Sequence, residues 1–213
     1  MKNTLKILLL ASVLAPAAAY AANPTTATVI TKEEIAKISA TEQALSTKDE
    51  NSKVVDIGNG FSMELGVIHR GSTRKPPTPA PAANPAAAAV QRVACGKTMA
   101  TAPANAEKGA LTHDSQTEGY YIVSGGGVAF IDGYIVNGKE SMANPDGGPN
   151  GPTCGGVSVG SHRINLKTGD VLIVPQGVVH GWADIPDHVD YLSFRPSHDV
   201  MKNGWVNPTI AKK

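Results

Sequence analysis

Three side chains in this sequence have the chemistry of metal ligands and a setting that could bring them together. His113 and Glu118 lie five positions apart in HDSQTEGYYIVSGG, residues 113–126, at the head of a Tyr-, Ile- and Val-rich segment that runs into glycines. His180 closes GDVLIVPQGVVH, residues 169–180. Two neutral imidazoles and one carboxylate would leave about three positions open on an octahedral ion, an arrangement associated with Fe(II) that must admit a substrate or O₂. The same groups could instead form a metal-free cluster in which Glu118 merely hydrogen-bonds to His113 or Tyr120. Both readings are open at this level.

The elements that would hold these residues are strands. Residues at even separation share a strand face, so Glu118, Tyr120 and Ile122 point together, as do His180, Trp182 and Asp184. Pro175 fixes its φ and Gly177 tolerates unusual φ, which suits a rigid corner that presents His180. His113 precedes its strand, where a bend can turn it inward. Glu118 and Tyr120 are the catalytic candidates, and Trp182 and Asp184 are candidates for the pocket wall. Asp184 could also steady a ligating histidine through a hydrogen bond. Residues 61–70 alternate, with Phe61, Met63, Leu65, Val67 and His69 on one face. If that face is the interior, His69 becomes a candidate fourth ligand, while Arg70 on the other face is expected in solvent. Arg195 is in phase with Tyr191 and Ser193 and is read as a surface arginine, and His162, His188 and His198 as surface histidines.

Elsewhere the chain predicts one helix and further short strands. TKEEIAKISATEQALS opens with Thr31 and Glu34 in capping-box spacing and continues with Ile35, Ile38 and Leu45 at helical intervals. Residues 120–136, 170–174 and 186–195 read as strands broken by turns. Residues 75–90, KPPTPAPAANPAAAAV, have too little bulk to bury and too many prolines to join a ladder. NPDGGPNGPTCGG, residues 144–156, reads as loop. The fold class is therefore all-β with a short N-terminal helix.

The two histidine-bearing stretches resemble the sequence motifs of the cupins. Gly169, Pro175, Gly177 and His180 match the second motif at every spacing, with Asp184 in place of its final Asn. His113, Glu118 and Gly125 match the latter part of the first, with Leu111 where a leading histidine belongs. The resemblance covers roughly residues 105–196 and implies a double-stranded β-helix, a jelly-roll barrel whose mouth holds a divalent metal such as Fe, Mn, Ni or Zn. It also implies barrels that pair through their sheets as homodimers. Together these readings make residues 1–21 a leader, 22–60 a helix and lead-in segment, and 61–200 the barrel, with a Pro/Ala-rich insertion at 75–90 and a Gly-rich loop at 137–160. Residues 201–213 form a tail.

The leader is read from Lys2 and Lys6, an apolar run from Ile7 to Leu14, and small residues Ala19 and Ala21 around Tyr20. It directs the chain to the periplasm or exterior, and its apolar run is too short to span a membrane. Without Lys2 and Lys6 the 19 basic and 18 acidic residues of the full chain become a formal charge of −1. No clustered Lys and Arg offers a nucleic-acid surface. The chain has two cysteines, Cys95 and Cys154, which in an oxidising compartment could form one disulfide or stay as separate buried thiols. The expected partner is a small oxygen-rich molecule, such as an enol, catechol, keto acid or sugar, undergoing oxygenation, isomerisation or lyase chemistry. The alternatives are a barrel that binds a metal or small molecule without turnover, and a secreted barrel with a degenerate site.

Overall fold

A computed structural model describes residues 24–42, 47–74, 93–141, 151–198 and 200–211. The leader, Leu45 of the helical pattern, the Pro/Ala-rich insertion and residues 142–150 of the Gly-rich loop lie outside these residues. The helix α1 spans Lys32–Glu42 and begins as its spacing predicts. Thr31 N donates to Glu34 Oε2 at 2.9 Å and Glu34 N donates to Thr31 Oγ1 at 3.2 Å, so two orphan donors of the first turn are satisfied reciprocally. Lys53 pairs with Glu34 at 2.8 Å and ties the helix to the first strand.

Eleven strands follow among the described residues: β1 Thr47–Gly58, β2 Phe61–Gly71, β3 Ala94–Cys95, β4 Glu107–His113, β5 Glu118–Ile131 and β6 Tyr134–Ser141. Then come β7 Thr153–Val159, β8 His162–Lys167, β9 Val171–Val174, β10 His180–Asp184 and β11 His188–His198, before a short α2 at Pro208–Ala211. The pairing is antiparallel throughout the named strands. β5 belongs to both faces of the barrel. Its first half pairs with β11 and β9, and its second half with β8 and β10. One wall is therefore β1-β2-β11-β5-β9 and the other continues from β5 through β10, β4, β7 and β6 to β3.

Residues Gly125 to Gly127 make that change of partner sterically feasible. A Cβ at Gly125 would lie 2.1 Å from the His188 carbonyl oxygen, and Gly125 has φ +68°, a conformation side chains disfavour. A Cβ at Gly126 or Gly127 would meet the carbonyl oxygens of Leu166 or Asp184 at 2.4 and 2.6 Å. The strand can thus bend hard while backbones pack against it from both sides. The result is an all-β barrel of the jelly-roll type with one helix at its start.

Between the walls, Ile68, Tyr120, Ile122, Ala129, Leu166, Ile185, Val189 and Tyr191 form the main core. A second cluster of Ala110, Phe130, Ile135, Cys154 and Val179 packs around the disulfide that joins Cys95 to Cys154. The bridge fastens β3 to β7 across a sequence separation of 59.

Two boundaries differ from the sequence reading. The barrel begins at β1, not at residue 61, because TKDENSKVVDIG pairs along β2 despite its charges. The Gly-rich loop proposed for 137–160 is shorter, because β6 runs to Ser141 and β7 starts at Thr153. Flanking strands hold Gly155 and Gly156 in register with Leu111 and Ala110, which overrides their weak strand preference. The tail is docked too, with Asn207 N bonded to Ser52 O at 2.8 Å.

β2 also turns the opposite face inward from the one expected. Glu64, Gly66, Ile68 and Arg70 face the interior, where Glu64 bonds Gln116, Ile68 joins the main core and Arg70 bonds Tyr191. Leu65 and Val67 are nevertheless only 7% and 4% exposed, since α1 packs against β1 and β2. An apolar outer face covered by a helix imitates an inner face in the sequence.

Candidate metal centre

His113 ends β4, Glu118 opens β5 and His180 opens β10, so the three come from separate strands. A bend at 114–117 carries the chain from the first to the second. The turn before β10 is closed by Val178 N bonded to Pro175 O at 3.0 Å, with Gly177 at φ +76° in its third position. That is the place where a type II turn demands positive φ. Gly177 N also donates to His113 O at 2.9 Å, which fastens the turn presenting one histidine to the residue bearing the other.

The donors converge. His113 Nε2 and His180 Nε2 each lie 3.3 Å from Glu118 Oε2. All three ligand atoms lie within 4.8 Å of one another, and all three residues are buried. Two donors about 2.1 Å from one ion and 3.3 Å apart would subtend about 100°, between octahedral and tetrahedral values.

Hydrogen bonding also favours a cation at this point. His180 Nδ1 lies 3.1 Å from the Val178 carbonyl oxygen, which can only accept, so Nδ1 carries the proton. A neutral His180 then aims a bare Nε2 lone pair at a carboxylate oxygen. A positive charge between the two, or a second proton on the ring, turns that repulsion into attraction. The donor set of two imidazoles and one carboxylate fits a divalent transition metal.

Glu118 is held in its ionised form. Burial works against its charge, but the Arg195 guanidinium outweighs that and keeps the carboxyl well below the usual range. Arg195 Nε donates to Glu118 Oε1 at 2.6 Å while Nη2 reaches both oxygens of Asp49, at 2.9 and 2.7 Å, and Nη1 donates to Asn51 Oδ1 at 3.2 Å. One carboxylate oxygen is thereby anchored, and the other faces the histidines. Tyr120 Oη donates to that second oxygen. Burial and the nearby Glu118 charge push the Tyr120 phenol well above its usual range, so it acts as a proton donor here.

Beside this cluster opens a cavity of about 210 Å³. His113, Glu118, Tyr120, His180 and Trp182 line it, so the expected pocket residues Tyr120 and Trp182 are on its wall, as is Leu111. No protein-family model and no curated protein matches the chain.

Other expected site residues are placed elsewhere. His69 is not a fourth ligand: it sits on the outward face of β2, where its Nδ1 donates to Asp190 Oδ1 at 2.6 Å. Asp184 does not reach a ligating histidine. A register shift between Trp182 and Asp184 breaks the alternation of β10, and the Asp184 carboxylate pairs with Arg74 at 2.6 Å. Arg195, read as a surface residue, is 1% exposed, because its in-phase neighbours Tyr191 and Ser193 face inward. Arg70 lines the cavity. His162 and His198 are exposed; His188 is half-buried, with Nδ1 2.7 Å from Asp187 and Nε2 3.1 Å from Ser124 Oγ.

Sequence reasoning missed the Arg195–Asp49 support. Tyr191, an aromatic residue on a short strand, was a signal for which face of β11 turns inward, and it carries Arg195 with it. Nothing in the charged run around Asp49 marks it as the partner.

Proposed function

We propose that this chain is an exported cupin that holds a divalent metal ion on His113, Glu118 and His180 and acts on a small oxygen-rich organic molecule in the adjoining cavity. The observation that carries this reading is the convergence of three buried donors from separate strands on one point of the cavity wall. The partial match of both motifs supports the family, and the Cys95–Cys154 disulfide supports an oxidising compartment.

When bound, such an ion acts as a Lewis acid on an oxygen of the ligand. The protein's part is positional. Arg195 orients the Glu118 carboxylate from behind and Tyr120 from beside the histidines, while Val178 O selects the His180 tautomer that exposes Nε2. Trp182, Phe130, Leu172 and Ile185 supply an apolar wall that restricts water around the ligand.

Binding without turnover is a second reading, favoured by one observation. Glu118 is held ionised and occupied, and Tyr120 holds its proton, so neither is poised near neutral pH for acid–base work. Elemental analysis of the purified, unchelated protein beside His180→Ala and Glu118→Ala tests the site. Near-stoichiometric metal in the wild type and its loss from both variants is expected; equal metal in all three ends the reading. Turnover screening on oxygenated acids and phenols then separates enzyme from binder.

A further inference from the structure

The cavity wall includes a cation whose hydrogen-bonding capacity is largely unused. Arg70, on the inner face of β2, donates through Nε to Tyr191 Oη at 2.8 Å. Among the described residues its terminal guanidinium nitrogens make no hydrogen bond, in contrast to Arg195, which spends its nitrogens on Asp49, Asn51, Ser193 and Glu118. Burial opposes the charge on Arg70, but Tyr191, Tyr120 and Asp49 offset it and the group keeps its proton. Donors in such a place normally have partners, and the space beside these is the cavity.

Charge counting points the same way. Asp49 and Glu118 share the single guanidinium of Arg195, which leaves one negative charge, and Arg70 cancels it. The Tyr191 phenol is pushed up by burial and stays neutral. Ligating histidines are neutral as well. The charges of Asp49, Glu118, Arg195 and Arg70 therefore cancel, and a divalent ion makes the lining strongly positive. A neutral ligand would leave that excess in a partly enclosed space, whereas an anion removes part of it. Lys108 on the same lining adds a further positive charge.

We propose that Arg70 anchors a carboxylate of the ligand, so that the molecules this cavity takes are small organic acids, with one end at the His113–Glu118–His180 centre and the carboxylate on the Arg70 guanidinium. The planar fork of an arginine matches a carboxylate with two parallel hydrogen bonds. The cavity volume is about 210 Å³, which suits a small acid. Trp182 and Leu172 on the lining give the body of such a molecule an apolar surface.

This assignment rests on the metal reading above, and the test separates the two. Wild type, Arg70→Met and Arg70→Lys are loaded with Zn(II), which does no redox chemistry, and their zinc content is measured. Catechol and 3,4-dihydroxybenzoate are then titrated into each by calorimetry; the two share a metal-binding pair of oxygens and differ by one carboxylate. The wild type is expected to bind the acid at least about tenfold more tightly than catechol. In Arg70→Met that preference disappears while zinc content and catechol affinity stay put, and Arg70→Lys restores part of it. Equal affinities in the wild type, binding of neither compound, or a preference that survives in Arg70→Met overturns the assignment and leaves the metal reading standing. A wild type that takes up no zinc sinks the metal reading and this assignment with it.

Discussion

Two carboxylates on inner faces of the same wall are held in opposite ways. Glu118 and Glu64 are 1% and 0% exposed, on β5 and β2. Glu118 receives Arg195 Nε at 2.6 Å and faces two imidazoles, and it stays ionised far into acid. Glu64 accepts from the amides of Asn51 and Gln116, each at 3.0 Å, and feels Arg195 only at longer range. Burial pushes its carboxyl up to about 7, against that more distant guanidinium. Equal burial thus gives an anion where a cation makes direct contact and a titrating acid where neutral amides do. The anionic one is the candidate ligand.

The hardest blow to this contrast is Arg195→Met, which would leave Glu118 and Asp49 without their shared cation. Removing one partner of a buried ion pair costs about 3–5 kcal/mol, so chemical denaturation should show a loss of that size together with depleted metal. An undiminished midpoint would mean that Arg195 is not what holds Glu118 ionised. Cys95→Ala with Cys154→Ala is the control from another part of the barrel. Opening a loop with a sequence separation of 59 should remove up to about 4 kcal/mol in the chain-entropy model while metal content is retained.

Glu64→Gln probes the other carboxylate. The Glu64 carboxyl is raised from 4.5 to about 7 in the fold, so its stabilising contribution is complete below 4.5 and is lost as pH rises through 7. Between pH 4.5 and 8 the stability of Glu64→Gln relative to wild type should therefore improve by about 1–3 kcal/mol, read from unfolding curves at each pH. Glu118 has the opposite sign: its contribution is present above its ordinary value and lost as pH falls through its depressed one. A flat difference for Glu64→Gln would place that group in the same class as Glu118. The smallest effect belongs to Tyr120→Phe, which removes one donor to Glu118 Oε2. About 1 kcal/mol of stability and about tenfold in metal affinity are expected, by unfolding and by metal competition.

Legibility differed sharply between the parts of the site. The helix start was readable because the Thr31–Glu34 box is local. His113, Glu118 and His180 were readable because both stretches resemble cupin motifs, and the proline–glycine turn before His180 suits a rigid corner. The partners of Glu118 were not, since Arg195 and Asp49 are 146 residues apart and meet only when β11 and β1 flank β2. Asp184 was misplaced because a bulge in β10 leaves no mark in a five-residue strand.

By itself the sequence determined an all-β chain with one helix, which residues share a face on β5, and a set of side chains fit to hold a metal. Only tertiary packing decided that Arg70 and Glu64 look inward while His69 looks out, and that Arg195 lies under the site. Alternation along a strand states which side chains travel together, but the side that becomes interior depends on what packs over each. On β2 a helix covers the outer face, so both faces carry apolar residues and hydrophobicity cannot choose between them.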